Sequence, residues 1–369
     1  MKYYIIAGEA SGDLHASNLV RELKKLDSEA EVHGWGGDMM QEQGVNIVKH
    51  YRDLAFMGFI EVIANLRTIL QNIRFCKEDI LNFNPDIIIL VDYPGFNLRI
   101  ASFAKLKGFK VFYYISPQIW AWKQSRVHQI KKHVDKMFVI LPFEEKFYKD
   151  FDYKVDFVGH PLLDAIVQRK SDKQEFREKN HLEAKPIVAL LPGSRQQEIA
   201  TMLPLMLSVK KDFPDYEFVV GAAPSVHESF YEKVINDKSV KVVSGQTYDL
   251  LEHSEAALVT SGTATLETAL FEVPEVVCYK GNKLSYLIAR SLVKVDFISL
   301  VNLIMGKEIV KELIQDELNK QNLKMELEKL LYNDEYRIQI KGNYKILKEK
   351  LGGSGASAET AKLMWNYLN

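Results

Sequence analysis

Short apolar runs alternate along this chain with longer stretches in which apolar residues recur every three or four positions. Tyr3 to Ala7 predicts a strand. Leu14 to Leu26 predicts an amphipathic helix, with Leu19, Val20, Leu23 and Leu26 on one face. Pro85-Asp86 then opens Ile87 to Val91, a run that is β-branched almost throughout and reads as a strand buried on both faces, as in a parallel sheet. Val111 to Ile115 and Lys136 to Leu141 repeat the type. A second series follows Gly159-His160-Pro161. Strands are predicted at Ile187 to Leu191, Glu217 to Val220, Val240 to Val243, Ala256 to Thr260 and Glu275 to Tyr279, with helical patterns between them. From Lys307 onward the pattern reads as helical and charged.

Strands alternating with helices imply doubly wound α/β domains. The chain has 369 residues, too many for one ordinary core, and the two series divide it near Gly159 to Leu163. The expected domains are 1–162 and 163–344. Ligands of open α/β sheets bind beyond the strands' carboxyl ends, so a cleft between two such halves is the expected site.

Composition narrows the class. Apolar residues make up 47% and charged residues 26%, the mix of a soluble globular protein. A formal net charge of -1 offers no global field for nucleic acid. Cys76 and Cys278 lie far apart and lack metal-ligand spacing, which suggests a reducing compartment. The apolar run at the N-terminus is too short for a signal peptide, and no run reaches membrane-spanning length. Cytoplasm is the expected location.

The unusual residues gather at predicted strand ends. Gly8-Glu9-Ala10-Ser11-Gly12-Asp13 lacks the dinucleotide-binding spacing, and its two acids would repel a pyrophosphate. Asp13 is expected to cap the following helix. Glu9 has few structural jobs in such a loop and is a functional candidate. Asp92 ends the most apolar strand, where desolvation would raise its basicity toward that of a general base. Its bland reading is a turn-former before Pro94. Asn97 would orient Asp92 or cap the next helix. Trp120 and Trp122 read equally well as a cleft wall or as buried core.

Two stretches in the second half suit anions. Leu191-Pro192-Gly193-Ser194-Arg195 offers backbone N–H groups, a hydroxyl and a guanidinium in one turn; a capped helix start with an Arg195–Glu198 pair is the alternative. Ser261-Gly262-Thr263 opens a helix and suits phosphate oxygens, with Glu267 placed for a ribose diol. A capping box of Thr263 and Glu267 is the alternative there. Anion sites in one half and a carboxylate in the other fit a diphosphate leaving group and an acceptor hydroxyl. No Walker motif, His-Glu-x-x-His or metal-spaced acid cluster is present. Leu54 to Ile63, including Phe56, Met57, Phe59 and Ile60, is apolar almost throughout and flanked by Lys49, Arg52, Arg67 and Arg74. It reads as a buried helix or as a membrane- or acyl-binding segment.

In order along the chain, Gly8 to Asp13, Met57-Gly58, Asp92 to Asn97, Ser116-Pro-x-x-Trp120-Ala-Trp122, Pro142-Phe143-Glu144, Gly159-His160-Pro161, Leu191 to Arg195, Ser261 to Ala264 and Ser299-Leu-x-Asn302 resemble the lipid-A-disaccharide synthase family. The resemblance implies a GT-B fold, two Rossmann-like domains facing across a cleft, with a C-terminal helix of about 345–369 returning to the first. It implies an inverting condensation of UDP-2,3-diacylglucosamine with 2,3-diacylglucosamine 1-phosphate. The products are the β-1,6-linked disaccharide 1-phosphate and UDP, with no metal or other cofactor.

By the same resemblance Asp92 matches the base and Glu9 an essential loop acid, and which of the two removes the proton stays open. Gly193, Ser194, Arg195, Ser261, Gly262, Thr263, Glu267 and Asn302 are expected at the UDP-sugar. Ser11, Phe56, Met57, Phe59, Ile60, Trp120 and Trp122 are expected at the acceptor, its acyl chains or the membrane. The expected location becomes the inner face of the inner membrane, peripherally; oligomeric state, a homodimer included, stays open. Two departures stand out. Gly95 occupies the place of a second acid, and Val301 that of a proline. A peptidoglycan-precursor transferase of the same fold, a UDP-N-acetylglucosamine 2-epimerase and a non-catalytic nucleotide-binding protein are the rival readings.

Overall fold

The computed structural model describes residues 1–54, 66–167, 172–282 and 295–369. The chain forms two compact units. Residues 1–167 and 351–369 make the first, and residues 168–350 the second. The divisions fall at 167/168 and 350/351 rather than 162/163 and 344/345, because helices Leu162–Val167 and Asp334–Lys350 each run past the expected boundary.

The first unit holds β1 (Lys2–Ala7), β2 (Glu31–Gly36), β3 (Asn46–His50), β4 (Ile87–Val91), β5 (Lys110–Tyr114), β6 (Lys136–Val139) and β7 (Asp156–Phe157). They form one parallel sheet in the order β3-β2-β1-β4-β5-β6-β7. Alternate residues explain the unbroken apolar runs. Tyr4, Ile6, Ile88, Leu90, Val111 and Tyr113 enter one core with residues of helices Leu66–Phe83, Pro94–Leu106 and Val127–His133. Tyr3, Ile5, Ile87 and Ile89 are equally buried on the opposite face. Helix Ala356–Leu368 belongs to this unit and packs on helix Ala10–Leu26. Glycine is required at 34, since a Cβ there would lie 1.8 Å from the Ile5 carbonyl oxygen.

The second unit holds β8 (Ile187–Leu191), β9 (Glu217–Ala222), β10 (Lys241–Ser244), β11 (Ser254–Thr260), β12 (Glu275–Tyr279) and β13 (Lys311–Ile314). Its sheet is also parallel, in the order β10-β9-β8-β11-β12-β13. Ile187, Ala189, Leu191, Val219, Ala257 and Val259 share a core with Phe176, Leu250 and Leu251. The expectation of continuous helix after Lys307 fails at β13. Its four residues carry Lys311 and Glu312, and a short charged run at a sheet edge has no strand signature of its own. Among the described residues, no helix is long and apolar enough to cross a membrane.

Candidate active site

In the first sheet the chain winds outward from β1 to β3 and then returns to β4 on the other side. The strand order therefore reverses between β1 and β4, where the two following helices diverge and leave room for a ligand. Ala7 pairs with Val91, so Gly8-Glu9 and Asp92 emerge side by side at that point. Helix Ala10–Leu26 begins four residues earlier than its apolar pattern does. The Tyr93 ring lies against Gly8 so closely that a Cβ there would sit 2.3 Å from Tyr93 Cδ1.

The backbone carrying Asp92 is strained. Asp92 and Tyr93 have φ of 44° and 49°, the left-handed region, and Ile115 at the end of the neighbouring β5 has 64°. Each such residue costs about 1–3 kcal/mol and persists only where its surroundings hold it. Here the Asp92 N–H donates to the Tyr114 carbonyl at 3.1 Å. Asn97 Nδ2 donates to the Asp92 carbonyl at 2.7 Å and to that of Val91 at 3.2 Å, and the Tyr113 hydroxyl donates to the same Asp92 oxygen. Asn97 thus orients the Asp92 turn. Tyr113 escaped the sequence reading because a tyrosine inside an apolar strand looks like core.

Asp92 is half-buried. Burial pushes its carboxyl up to about 7, and the negative charge of Glu9 adds to the rise. A carboxyl with that affinity is a competent proton acceptor near neutrality. Glu9 is half-buried too, and Ser11 is exposed in the first turn of its helix. Asp13 does not cap its own helix. Its carboxylate is buried and accepts from the N–H groups of Gly37 at 2.7 Å, Met39 at 3.1 Å and Met40 at 3.2 Å, so it caps helix Asp38–Glu42 instead.

Trp120 is 7% exposed and packs edge-on against Phe143, ring centroids 4.8 Å apart, which decides for core over cleft wall. Phe56, Met57, Phe59, Ile60 and the side chain of Trp122 lie outside the described residues. The Ser116 hydroxyl meets that of Tyr148 at 2.7 Å. Nearby, Glu144 turns back to accept from Ile140 and Leu141 N–H at 3.2 and 3.0 Å. Burial holds that carboxyl up at about 7.

The second sheet reverses its order between β8 and β11, again at a pair of candidate loops. Gly193 has φ 109°, and a Cβ on it would meet Glu198 Oε2 at 2.8 Å. Glu198 accepts from the Ser194 N–H at 3.2 Å and from Arg195 Nη1 at 3.1 Å. Ser225, from the loop after β9, donates to the Ser194 carbonyl at 2.9 Å. The Arg195–Glu198 pairing is therefore present, on an exposed turn whose Ser194 N–H also donates to Glu198. After β11, Ser261 donates to the Ile298 carbonyl at 2.9 Å. Gly262 is the N-cap of helix Thr263–Leu270, and among the described residues no side chain caps that end. Thr263 is the first helical residue, so the capping box with Glu267 does not form. The exposed helix start at Gly262 and Thr263 is left available to an anion. Burial alone raises Glu267 to about 7.

Asn302 departs from its expected place. Its side chain is fully buried. Oδ1 accepts from Ile309 N–H at 2.8 Å and Val310 N–H at 3.1 Å; Nδ2 donates to the Val310 carbonyl and Glu312 Oε1, both at 2.9 Å. Both oxygen lone pairs and both amide hydrogens are used, so no capacity remains for a nucleotide. Glu312 also accepts from the Ser299 hydroxyl at 2.7 Å and from Ile298 N–H at 3.0 Å. Asn302 and Glu312 thereby fix the segment that Ser261 binds. Glu312 carried no sequence signal beyond being one acid in a charged run.

Two parallel sheets wound alike, with an acid at one reversal point and a Gly-Ser-Arg turn beside a helix start at the other, define the class as a GT-B-type α/β enzyme. Solved structures agree on the fold. A UDP-GlcNAc 2-epimerase from Neisseria meningitidis superposes with TM-score 0.69 at 14% identity, covering 99% of this chain and 100% of its own. The glycosyltransferase of kitacinnamycin gives 0.67 at 14% identity, covering 100% and 99%.

The sequence comparisons are narrower. The family model described as lipid-A-disaccharide synthetase matches residues 3–363. The lipid-A-disaccharide synthase of Syntrophus aciditrophicus is 41% identical over 98% of this chain and 96% of its own length. That of Nitrosococcus oceani is 39% identical over 97% and 94%. The chain belongs to the lipid-A-disaccharide synthase family and is a glycosyltransferase of lipid A disaccharide synthesis.

Proposed function

We propose that the protein transfers the sugar of UDP-2,3-diacylglucosamine to the 6-hydroxyl of 2,3-diacylglucosamine 1-phosphate. Asp92 takes the hydroxyl proton as the oxygen attacks the anomeric carbon. The bond from that carbon to the diphosphate breaks in line, the configuration inverts, and UDP leaves. The observation that carries this reading is Asp92 itself: a half-buried carboxyl raised to about 7, on a left-handed backbone held by Asn97 and Tyr113, at the first sheet's reversal point. Glu9 acts on Asp92 through its charge, which favours Asp92 over Glu9 as base.

The Gly193 to Arg195 turn and the open helix start at Gly262 hold the diphosphate and receive its growing charge. Glu267 faces the ribose. Ser11, at the exposed start of the first helix, meets the acceptor. The enzyme works at the cytoplasmic face of the inner membrane without spanning it. Leu70 and Phe75 support this, being 57% and 45% exposed on helix Leu66–Phe83 beside the exposed Arg67 and Arg74. The test is UDP release from UDP-2,3-diacylglucosamine with and without the 1-phosphate acceptor. The proposal expects release only with acceptor. Release without it would point to an epimerase or hydrolase, and no release in either case would remove the lipid substrates.

A further inference from the structure

Glu198 occupies the donors that the diphosphate needs. Its two carboxylate oxygens bind the Ser194 N–H and the Arg195 guanidinium, while its Oε2 fills the space a Cβ would take on Gly193. A carboxylate and a phosphate each present a pair of anionic acceptor oxygens that a guanidinium can bind. We propose that Glu198 is a built-in competitor of the diphosphate, a positioning residue that holds the turn ready when empty and weakens its grip on UDP when full. The proposal rests on the reading of this turn as the diphosphate site.

The geometry gives reasons for competition rather than simple support. Ser194 has one N–H, so it cannot donate fully to Glu198 and to a phosphate oxygen at once. The Arg195 and Glu198 side chains are 62% and 35% exposed, so the pair is weak enough for a ligand to displace. A carboxylate left beside a bound diphosphate would then repel it. For a transferase whose product is UDP, a residue that lowers UDP affinity shortens the time the product stays bound.

The experiment is calorimetric titration of UDP and of uridine into wild type, Glu198→Gln and Arg195→Ala. Gln keeps the shape over Gly193 and removes the charge. The expected result for Glu198→Gln is a Kd for UDP lowered by roughly three- to tenfold, the size of one partly exposed charge interaction. Its uridine affinity should be unchanged, because uridine has no phosphate, and product inhibition by UDP should strengthen in step. An unchanged or raised Kd for UDP in Glu198→Gln would overturn the proposal and make Glu198 a support for Arg195. Tightening of uridine as strongly as UDP would also overturn it. Arg195→Ala separates the two levels: it should weaken UDP at least tenfold, and if it does not, the diphosphate reading of the turn is what fails.

Discussion

The two units place their candidate chemistry at the same topological position and equip it in opposite ways. At the β1–β4 reversal the chain spends backbone strain on a carboxylate: Asp92, Tyr93 and Ile115 are left-handed, and two buried side chains hold the Asp92 carbonyl. At the β8–β11 reversal left-handed φ falls on Gly193, and among the described residues no side chain caps the helix start at Gly262. One rim fixes a half-buried carboxyl raised to about 7, which the proposal makes the proton acceptor. The other carries donors on a turn where Glu198 holds the Ser194 N–H and Arg195, beside an exposed helix start at Gly262. The fold decides where chemistry can sit, and the residues at the loop decide its sign.

Substitutions test this contrast in decreasing order of effect. Asp92→Asn should lower acceptor-dependent turnover by about 10²-fold or more, as loss of a general base does, read by steady-state UDP release. A fall of only a few-fold would move the proton to Glu9. Asn302→Ala should destabilise by about 2 kcal/mol, since it orphans buried partners of four hydrogen bonds; denaturant unfolding reads this. A loss of UDP affinity in the folded variant, with stability intact, would restore Asn302 to the ligand. Arg195→Ala should raise the Kd for UDP at least about tenfold, with a smaller salt dependence than wild type.

The pH profile gives a finer test. A base must be deprotonated, so with the Asp92 carboxyl raised to about 7 the rate should climb with pH through an acid limb near that value. Burial and the Glu9 charge both raise it. Glu9→Gln should therefore move the limb to lower pH, by less than removing the burial would. A limb that stays fixed would show that the two acids are not coupled. The smallest effect is at Gly95, whose Cβ would meet nothing within 4 Å among the described residues. Gly95→Ala should leave turnover unchanged and stabilise by a few tenths of a kcal/mol up to about 1, by restricting the unfolded chain.

Much of the fold was legible because the sheets are buried on both faces. Ile87 to Val91 and Ile187 to Leu191 needed only unbroken apolar side chains, β-branched almost throughout in the first, to declare themselves. Strands with another logic stayed hidden. β2 contains two glycines, one forced by the approach of β1, and β13 is short and charged. The candidate loops stood out because Gly, Ser, Arg and Asp at strand ends break the pattern around them. Their supports did not. Tyr113 and Glu312 act through contacts 21 and 13 residues away, to Asp92 and Ser299, and their own surroundings in sequence look like core and like solvated charge. Asn302 erred the other way: position in a motif marked it as a ligand contact, while its geometry shows an amide consumed within the fold.

In the proposed reaction, proton transfer belongs to the β1–β4 rim and diphosphate binding to the β8–β11 rim. The most direct measurement is calorimetric titration of UDP into Asp92→Asn beside wild type, on the same preparations assayed for turnover. The expected result is an unchanged Kd with turnover reduced by about 10²-fold or more. A Kd weakened in proportion to the lost turnover would place Asp92 in the nucleotide's grip and contradict the division.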